Sequence, residues 1–224
     1  MEYFYDGICL QNGRESNMDS LLLTERCIAG EQTILAVVCD GVGSMTEGAY
    51  ASIESIRMMG EWISKVAEPK RLGLRMRDEV ALISDRILKA ATERCVQTAT
   101  TLSALLIAGR QYFIVHAGDS RIYSLCGGRF SLLTVDDINE AGKLTSYIGK
   151  RSNQELFYAE GTTNCDTFLL CTDGLYKRLD EEWISGNIDA GNRKAIRRTL
   201  NALAGYAIEQ GEQDNISVAI VRVT

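Results

Sequence analysis

Apolar residues along the chain follow two rhythms. Short runs rich in Val, Ile, Leu, Phe and Tyr, bounded by Gly, Asp or Asn, occupy residues 20–24, 33–39, 101–108, 111–117, 121–125, 129–134, 167–172 and 216–223. Their length and composition predict β-strands. Longer stretches repeat apolar residues at steps of three, four and seven. Ala49, Ile53, Ile56, Ile63 and Val66 form one such set, Val80, Ile83 and Ile87 a second, and Ile196, Leu200, Leu203 and Ala207 a third. That spacing places each set on one face of a helix. The strands at 111–117, 121–125 and 129–134 follow one another closely, with Gly127-Gly128 as a tight turn, which predicts an antiparallel meander. Two helices after the second strand and one before the last predict sheets covered by helices, not a doubly wound parallel sheet.

Two of these strands stop in the same way. LAVVC runs into Asp40 and Gly41, and FLLCT runs into Asp173 and Gly174. Further aspartates sit at strand borders: Asp19 in SNMDSLLL, Asp119 in HAGDSR and Asp214 in EQDNISVAIV. Any one of them is most simply a turn or cap residue. Together they form a set that would repel itself and raise its own pKa values unless a cation were present. Mg²⁺ and Mn²⁺ favour such oxygen ligands. Glycine after the aspartate lets the backbone come close, so that its carbonyl can serve as a further ligand. Two ions about 4 Å apart would suit metal-assisted hydrolysis of a phosphate ester.

Composition narrows the setting. The 224 residues include one proline, Pro69, and no stretch rich in Gly, Ser or Pro, which predicts a single domain over 1–224. With 24 Lys and Arg against 30 Asp and Glu, the formal charge of -6 gives no footprint for nucleic acid. No run approaches the roughly 20 apolar residues of a membrane helix. MEYFYDG lacks the order of a signal peptide, so a cytoplasmic protein without membrane attachment is expected. The seven cysteines show no CxxC pair and several lie in apolar runs, which predicts structural thiols in a reducing compartment. None has an arginine six positions on, as a cysteine-based phosphatase would need, and GVGSMTEG lacks the lysine of a nucleotide loop. His116, the single histidine, lies in a strand and is expected to pack or hydrogen-bond.

GRESNMDSLLL, VVCDGVGSMTEGAYAS, TTLSALLI, VHAGDSRIY, LLTVDD, FLLCTDGL and QDNISVAIVRV, in that order, resemble the motif series of the PPM or type 2C metal-dependent serine/threonine protein phosphatases, particularly the bacterial branch. The resemblance implies an α+β fold, a four-layer α-β-β-α sandwich of two antiparallel sheets flanked by helices. It implies that Asp40 bridges two Mg²⁺ or Mn²⁺ ions, that Gly41 offers its carbonyl, that Asp173 and Asp214 complete one ion's shell, and that Asp119 helps hold a third, weaker ion. Asp40, Asp173 and Asp214 would then be the catalytic carboxylates, Arg14 would bind the substrate phosphate, and Asp19 would hold metal-bound water. The implied reaction is attack of a metal-activated water on phosphoserine or phosphothreonine in a protein. The implied setting is bacterial signalling opposite a serine/threonine kinase, with the phosphatase a monomer.

Three departures stand out. Met18 occupies the place of a carboxylate ligand of the second ion, and a thioether suits a hard cation poorly, so weaker occupancy of that site is expected. Val42 stands where some members carry a histidine general acid, leaving water to protonate the leaving group. The short stretch INEAGK replaces a longer flap, which makes substrate choice the least transferable property. Met18 and the short flap favour an alternative, a phosphatase-like module that binds a phosphoprotein or signalling partner with little turnover. Intact Asp40, Asp119, Asp173 and Asp214 favour catalysis.

Overall fold

The computed structural model describes residues 2–43, 45, 47–150, 155–163 and 167–224. Cys165, one of the cysteines expected to be structural, lies outside the described residues. One five-stranded antiparallel sheet contains β1 (Tyr3–Leu10), β10 (Ile216–Val223), β9 (Thr167–Cys171), β6 (Arg121–Cys126) and β7 (Arg129–Leu132), in that spatial order. The other contains β2 (Asp19–Ile28), β3 (Glu31–Asp40), β4 (Leu102–Ala108), β5 (Gln111–Ala117) and β8 (Phe157–Thr162). Helices α1 (Gly48–Lys65) and α2 (Leu72–Arg94) connect β3 to β4, and α3 (Asp173–Tyr176), α4 (Glu181–Gly186) and α5 (Arg193–Glu209) connect β9 to β10.

Three cores separate four layers. Leu35, Val37 and Cys39 point to α1 and α2, while Ile34, Ala36 and Val38 on the same strand point to the opposite sheet. Both faces of β3 are therefore buried, which is why its sequence is an unbroken apolar run. β9 behaves alike, with Leu169 and Cys171 packed towards α5 and Phe168 and Leu170 between the sheets. The two apolar runs that stop on aspartate are thus inner strands, held by a neighbour on each side.

The sequence expectations need correcting in four places. First, β5 and β6 do not form a meander: Gly118, at φ 117°, turns the chain from one sheet into the other. The β6–β7 hairpin does form, with Gly127 and Gly128 both at positive φ as a type I′ turn requires. Second, α1 buries Ala51, Ser55, Met58, Met59 and Ile63, whereas Ile53 is exposed. Serines at 52 and 55 on the buried face disguise the apolar stripe. Third, β1, β8, α3 and α4 join the predicted elements, so that the first two helices follow the third strand. Fourth, Cys9, Cys27 and Cys95 are exposed, unlike the buried Cys39 and Cys171. The faces predicted for α2 and α5 are the buried ones. Among the described residues, no helix is long and apolar enough to cross a membrane.

Candidate metal centre

Asp40 is the last residue of β3 and lies directly opposite Asp19, the first of β2. Its backbone is fixed on both sides: the amide donates to Thr101 Oγ1 at 2.9 Å, and the carbonyl accepts from Thr101 N and Thr100 Oγ1, each at 2.9 Å. The main chain leaves the carboxylate little room to drift. Asp19 is buried and accepts from Thr172 Oγ1 at 2.8 Å, a hydroxyl that also accepts from Ser217 N at 2.9 Å. Thr172 therefore joins the ends of β2, β9 and β10. One residue further, Asp173 opens α3 and is ion-paired with Lys177. Asp214 precedes β10 and receives a two-pronged contact from Arg14, Nε to Oδ1 at 2.8 Å and Nη2 to Oδ2 at 2.7 Å. Asp119 lies in the β5–β6 crossover, where its carbonyl accepts from the Tyr176 hydroxyl at 2.9 Å.

These carboxylates act on one another. Burial raises the Asp40 carboxyl well above the usual range, and the charges of Asp19, Asp173, Asp119 and Asp214 raise it further. Burial pushes Asp19 up to about 7, with the Thr172 and Ser217 hydroxyls opposing and Asp173 and Asp214 adding to the rise. Asp119 is pushed up to about 6 by burial and then by Asp173. For Asp214 burial also acts upward, but the hydrogen bonds from Arg14 and the Asn215 amide hold it below the ordinary value. The structure thus brings all five predicted aspartates into one electrostatic unit. Among the described residues, no three His, Cys, Asp or Glu side chains close around a single point as an ion cage. Asp214 and Asp173 are instead turned to Arg14 and Lys177.

The donor set nevertheless fits a hard divalent cation: oxygen atoms alone, partly buried, with charge in excess that a cation would relieve. A consequence is testable without substrate. Because the carboxyls of Asp19 and Asp40 are raised in the folded state, the metal-free protein binds more protons folded than unfolded. Its stability should therefore fall as pH rises from about 4 to about 7. Melting temperature across that window checks this, and millimolar Mn²⁺ should remove the decline. A metal-free melting temperature that rises steadily over the same window would contradict it.

Both glycines that follow the aspartates are demanded by space. A Cβ on Gly41 would lie 2.6 Å from the Gly48 carbonyl oxygen and 2.7 Å from that of Met18, and one on Gly174 would lie 2.0 Å from the Asn215 carbonyl oxygen. A cleft of about 310 Å³ opens beside Gly41, lined by Arg14, Met18, Asp40, Asp214 and Asn215 among others. The Met18 backbone is pinned, its carbonyl accepting from Gly41 N at 3.2 Å and Ser52 Oγ at 2.5 Å.

Sequence reasoning missed Asn215. Its buried amide donates to the carbonyls of Gln11 at 2.7 Å and Ser16 at 3.0 Å and accepts from Met18 N at 2.9 Å. Asn12 returns the connection, donating to the carbonyls of Glu212 at 2.8 Å and Asp214 at 2.9 Å. The loop carrying Arg14 and Met18 is thereby hung on the segment carrying Asp214. The signal available in the sequence was a second polar residue directly before a buried strand.

His116 takes the structural part expected of it. It is fully buried, with Nδ1 2.8 Å from Ser103 Oγ and Nε2 3.1 Å from the Val135 carbonyl. Burial lowers its pKa below the ordinary value, against the pull of Asp137. INEAGK forms a compact turn: Asn139 N donates to the Lys143 carbonyl at 2.9 Å, and its side chain accepts from the amides of Ala141 and Lys143, each at 3.0 Å.

Comparison with known proteins gives a consistent result. The family profile described as Protein phosphatase 2C matches residues 11–211. A protein of Listeria welshimeri named serine/threonine phosphatase stp is 26% identical over 212 residues, covering 84% of this chain and 83% of its own. Among solved structures, serine/threonine phosphatase Stp1 from Staphylococcus aureus superposes with a TM-score of 0.89 at 18% identity, over 100% of this chain and 96% of that one. The catalytic domain of serine threonine protein phosphatase PstP, in complex with two manganese ions, superposes with a TM-score of 0.83 at 24% identity, over 99% and 98%. These two structures share the fold of two antiparallel sheets flanked by helices.

Proposed function

Because the chain belongs to the protein phosphatase 2C family, we propose that the acidic cleft is the catalytic centre of a metal-dependent serine/threonine protein phosphatase. The observation that carries this placement is the convergence of Asp19, Asp40, Asp119, Asp173 and Asp214 into one mutually repelling unit beside Arg14. The Asp40, Asp173 and Asp214 carboxylates and the Gly41 carbonyl would hold two ions, Mn²⁺ or Mg²⁺, with the Asp119 carboxylate beside them. Ions held there supply an activated water and offset charge on the phosphoryl group.

The chain's own residues do the rest. Arg14 has a planar fork suited to phosphate and sits exposed at the mouth of the cleft. Arg14 rests on the Asp214 carboxylate in the metal-free chain, and its fork would turn to the phosphate once that carboxylate is engaged elsewhere. Asp19, already fixed by Thr172, orients water at the floor of the site. Val42 has no proton to give, so the departing serine or threonine oxygen takes its proton from water. Residues 1–224 work as one phosphatase domain, a cytoplasmic monomer acting in signalling on proteins phosphorylated by a serine/threonine kinase.

Purified protein with Mn²⁺ is expected to release phosphate from a phosphothreonine peptide. If turnover stays at the level of an Asp40→Asn, Asp173→Asn control over a wide Mn²⁺ range, the catalytic reading fails and a binding module remains. Met18 gives a sharper prediction. Its sulfur stands 3.2 Å from where a Cβ on Gly48 would be, at the edge of the cleft, and offers a hard cation little. Met18→Glu should lower the Mn²⁺ concentration for half-maximal activity by about tenfold, roughly 1.4 kcal/mol. An unchanged Mn²⁺ curve would remove Met18 from the second ion's surroundings.

A further inference from the structure

Lys177 has no part in the catalytic scheme above, yet its ammonium is ion-paired with the Asp173 carboxylate four residues earlier. That spacing, with the acid towards the helix N-terminus, is the favourable one across a single turn. The Lys177 amide also donates to the Asp173 carbonyl at 3.1 Å, which fixes the turn that presents the ammonium. The neighbouring Tyr176 binds the turn to the Asp119 loop through its hydroxyl, and its ring lies 3.8 Å under the Arg121 guanidinium. Lys177 is thus paired with Asp173, and its charge also acts on Asp119 and Asp40. The Asp173 side chain is only 12% exposed while that of Lys177 is 55% exposed, so the lysine stem reaches inward from solvent to a half-hidden carboxylate.

We propose that the Lys177 ammonium is a fixed counter-charge to Asp173 and Asp119 that takes the place of a third divalent ion, leaving this chain to work with two. The inference rests on the reading of the aspartate cluster as a metal-holding catalytic centre. A third cation at Asp119 and the lysine compete for the same carboxylate charge, and each repels the other. Lys177 is in this sense a residue that sets metal stoichiometry without touching substrate.

Calorimetric titration of the full chain with MnCl₂ tests this with no measurement of turnover. Compared with wild type, Lys177→Gln should either bind a further equivalent of Mn²⁺ or tighten the weakest site by at least about tenfold. Lys177→Arg, which keeps the charge, should stay within about twofold of wild type. Superimposable isotherms for Lys177→Gln and wild type would overturn the proposal and leave the metal centre standing. So would a Lys177→Arg variant that binds like Lys177→Gln. If wild type takes up no Mn²⁺, the metal-centre reading falls and the role of Lys177 falls with it.

Discussion

Asp40→Asn is expected to lower phosphate release from a phosphothreonine peptide by at least about 10³-fold and, at the same time, to raise the melting temperature of the metal-free protein. The two effects have one cause. The Asp40 carboxylate is buried at the end of β3 and faces four other aspartates, so its charge is opposed by burial and by its neighbours. A neutral amide of nearly the same shape removes that opposition and keeps the backbone bonds to Thr100 and Thr101. What it cannot do is offer a charged oxygen to a cation. In millimolar Mn²⁺ the stability order should reverse, because ligand binding stabilises only the protein that can bind. Melting curves of both proteins with and without Mn²⁺, beside phosphate release, check all three statements. An Asp40→Asn protein that keeps wild-type turnover would take Asp40 out of the mechanism. One that is less stable than wild type without metal would show the carboxylate to be structural.

The second large effect belongs to Gly174→Ala. The added methyl would sit 2.0 Å from the Asn215 carbonyl oxygen and 3.1 Å from its carbon, both backbone atoms that cannot swing aside. Either α3 or the start of β10 has to move, and these segments carry Asp173 and Asp214. Overpacking of this kind costs about 1–3 kcal/mol. A displacement of about 1 Å between catalytic groups can cost on the order of 10²-fold in rate. Gly43→Ala is the matched control: among the described residues its Cβ meets only the Met18 sulfur, at 3.9 Å, so stability should stay within about 0.5 kcal/mol of wild type. Denaturant melts and turnover of the pair distinguish crowding at one point from a general intolerance of the cleft. Equal behaviour of the two variants would mean that the close approach of α3 to β10 has no bearing on the site.

Where sequence and structure agree, the reason is burial. β3 and β9 are covered on both faces, so their unbroken apolar runs and the aspartates beyond them stood out plainly. The less regular strands did not. β1 reads YFYDGICL, broken by Asp6 and Gly7. Asp6 is there for Arg197, whose Nε lies 2.6 Å away, and Gly7 for Leu21, whose Cδ2 would come within 2.5 Å of a Cβ. β8, FYAEGT, is a half-exposed edge strand paired to β5 alone and carries too little apolar signal. Helices of four and six residues, α3 and α4, are too short to show a period. That shortness also hid Lys177, because its pairing with Asp173 exists only once the turn of α3 is formed. Asn215 escaped for a different reason: its three bonds reach residues 11, 16 and 18, some two hundred positions away.

The two cationic partners give the centre a defined resting arrangement. Arg14 holds Asp214 and Lys177 holds Asp173, so two of the proposed ligands are charge-matched in the metal-free chain. Lys177 stays by Asp173, whereas the exposed Arg14 would give up Asp214 and turn towards the cleft mouth where a phosphate would arrive. That sequence links the acidic floor, the glycine turns and the loop tied down by Asn215 into one device.

Crystals of the wild-type chain grown with MnCl₂, measured at the manganese absorption edge, address the central claim most directly. The account predicts two anomalous peaks within the aspartate cluster, both touching the Asp40 carboxylate, with the weaker one on the Met18 side. Anomalous density confined to other parts of the molecule, with Arg14 still on Asp214, would contradict it.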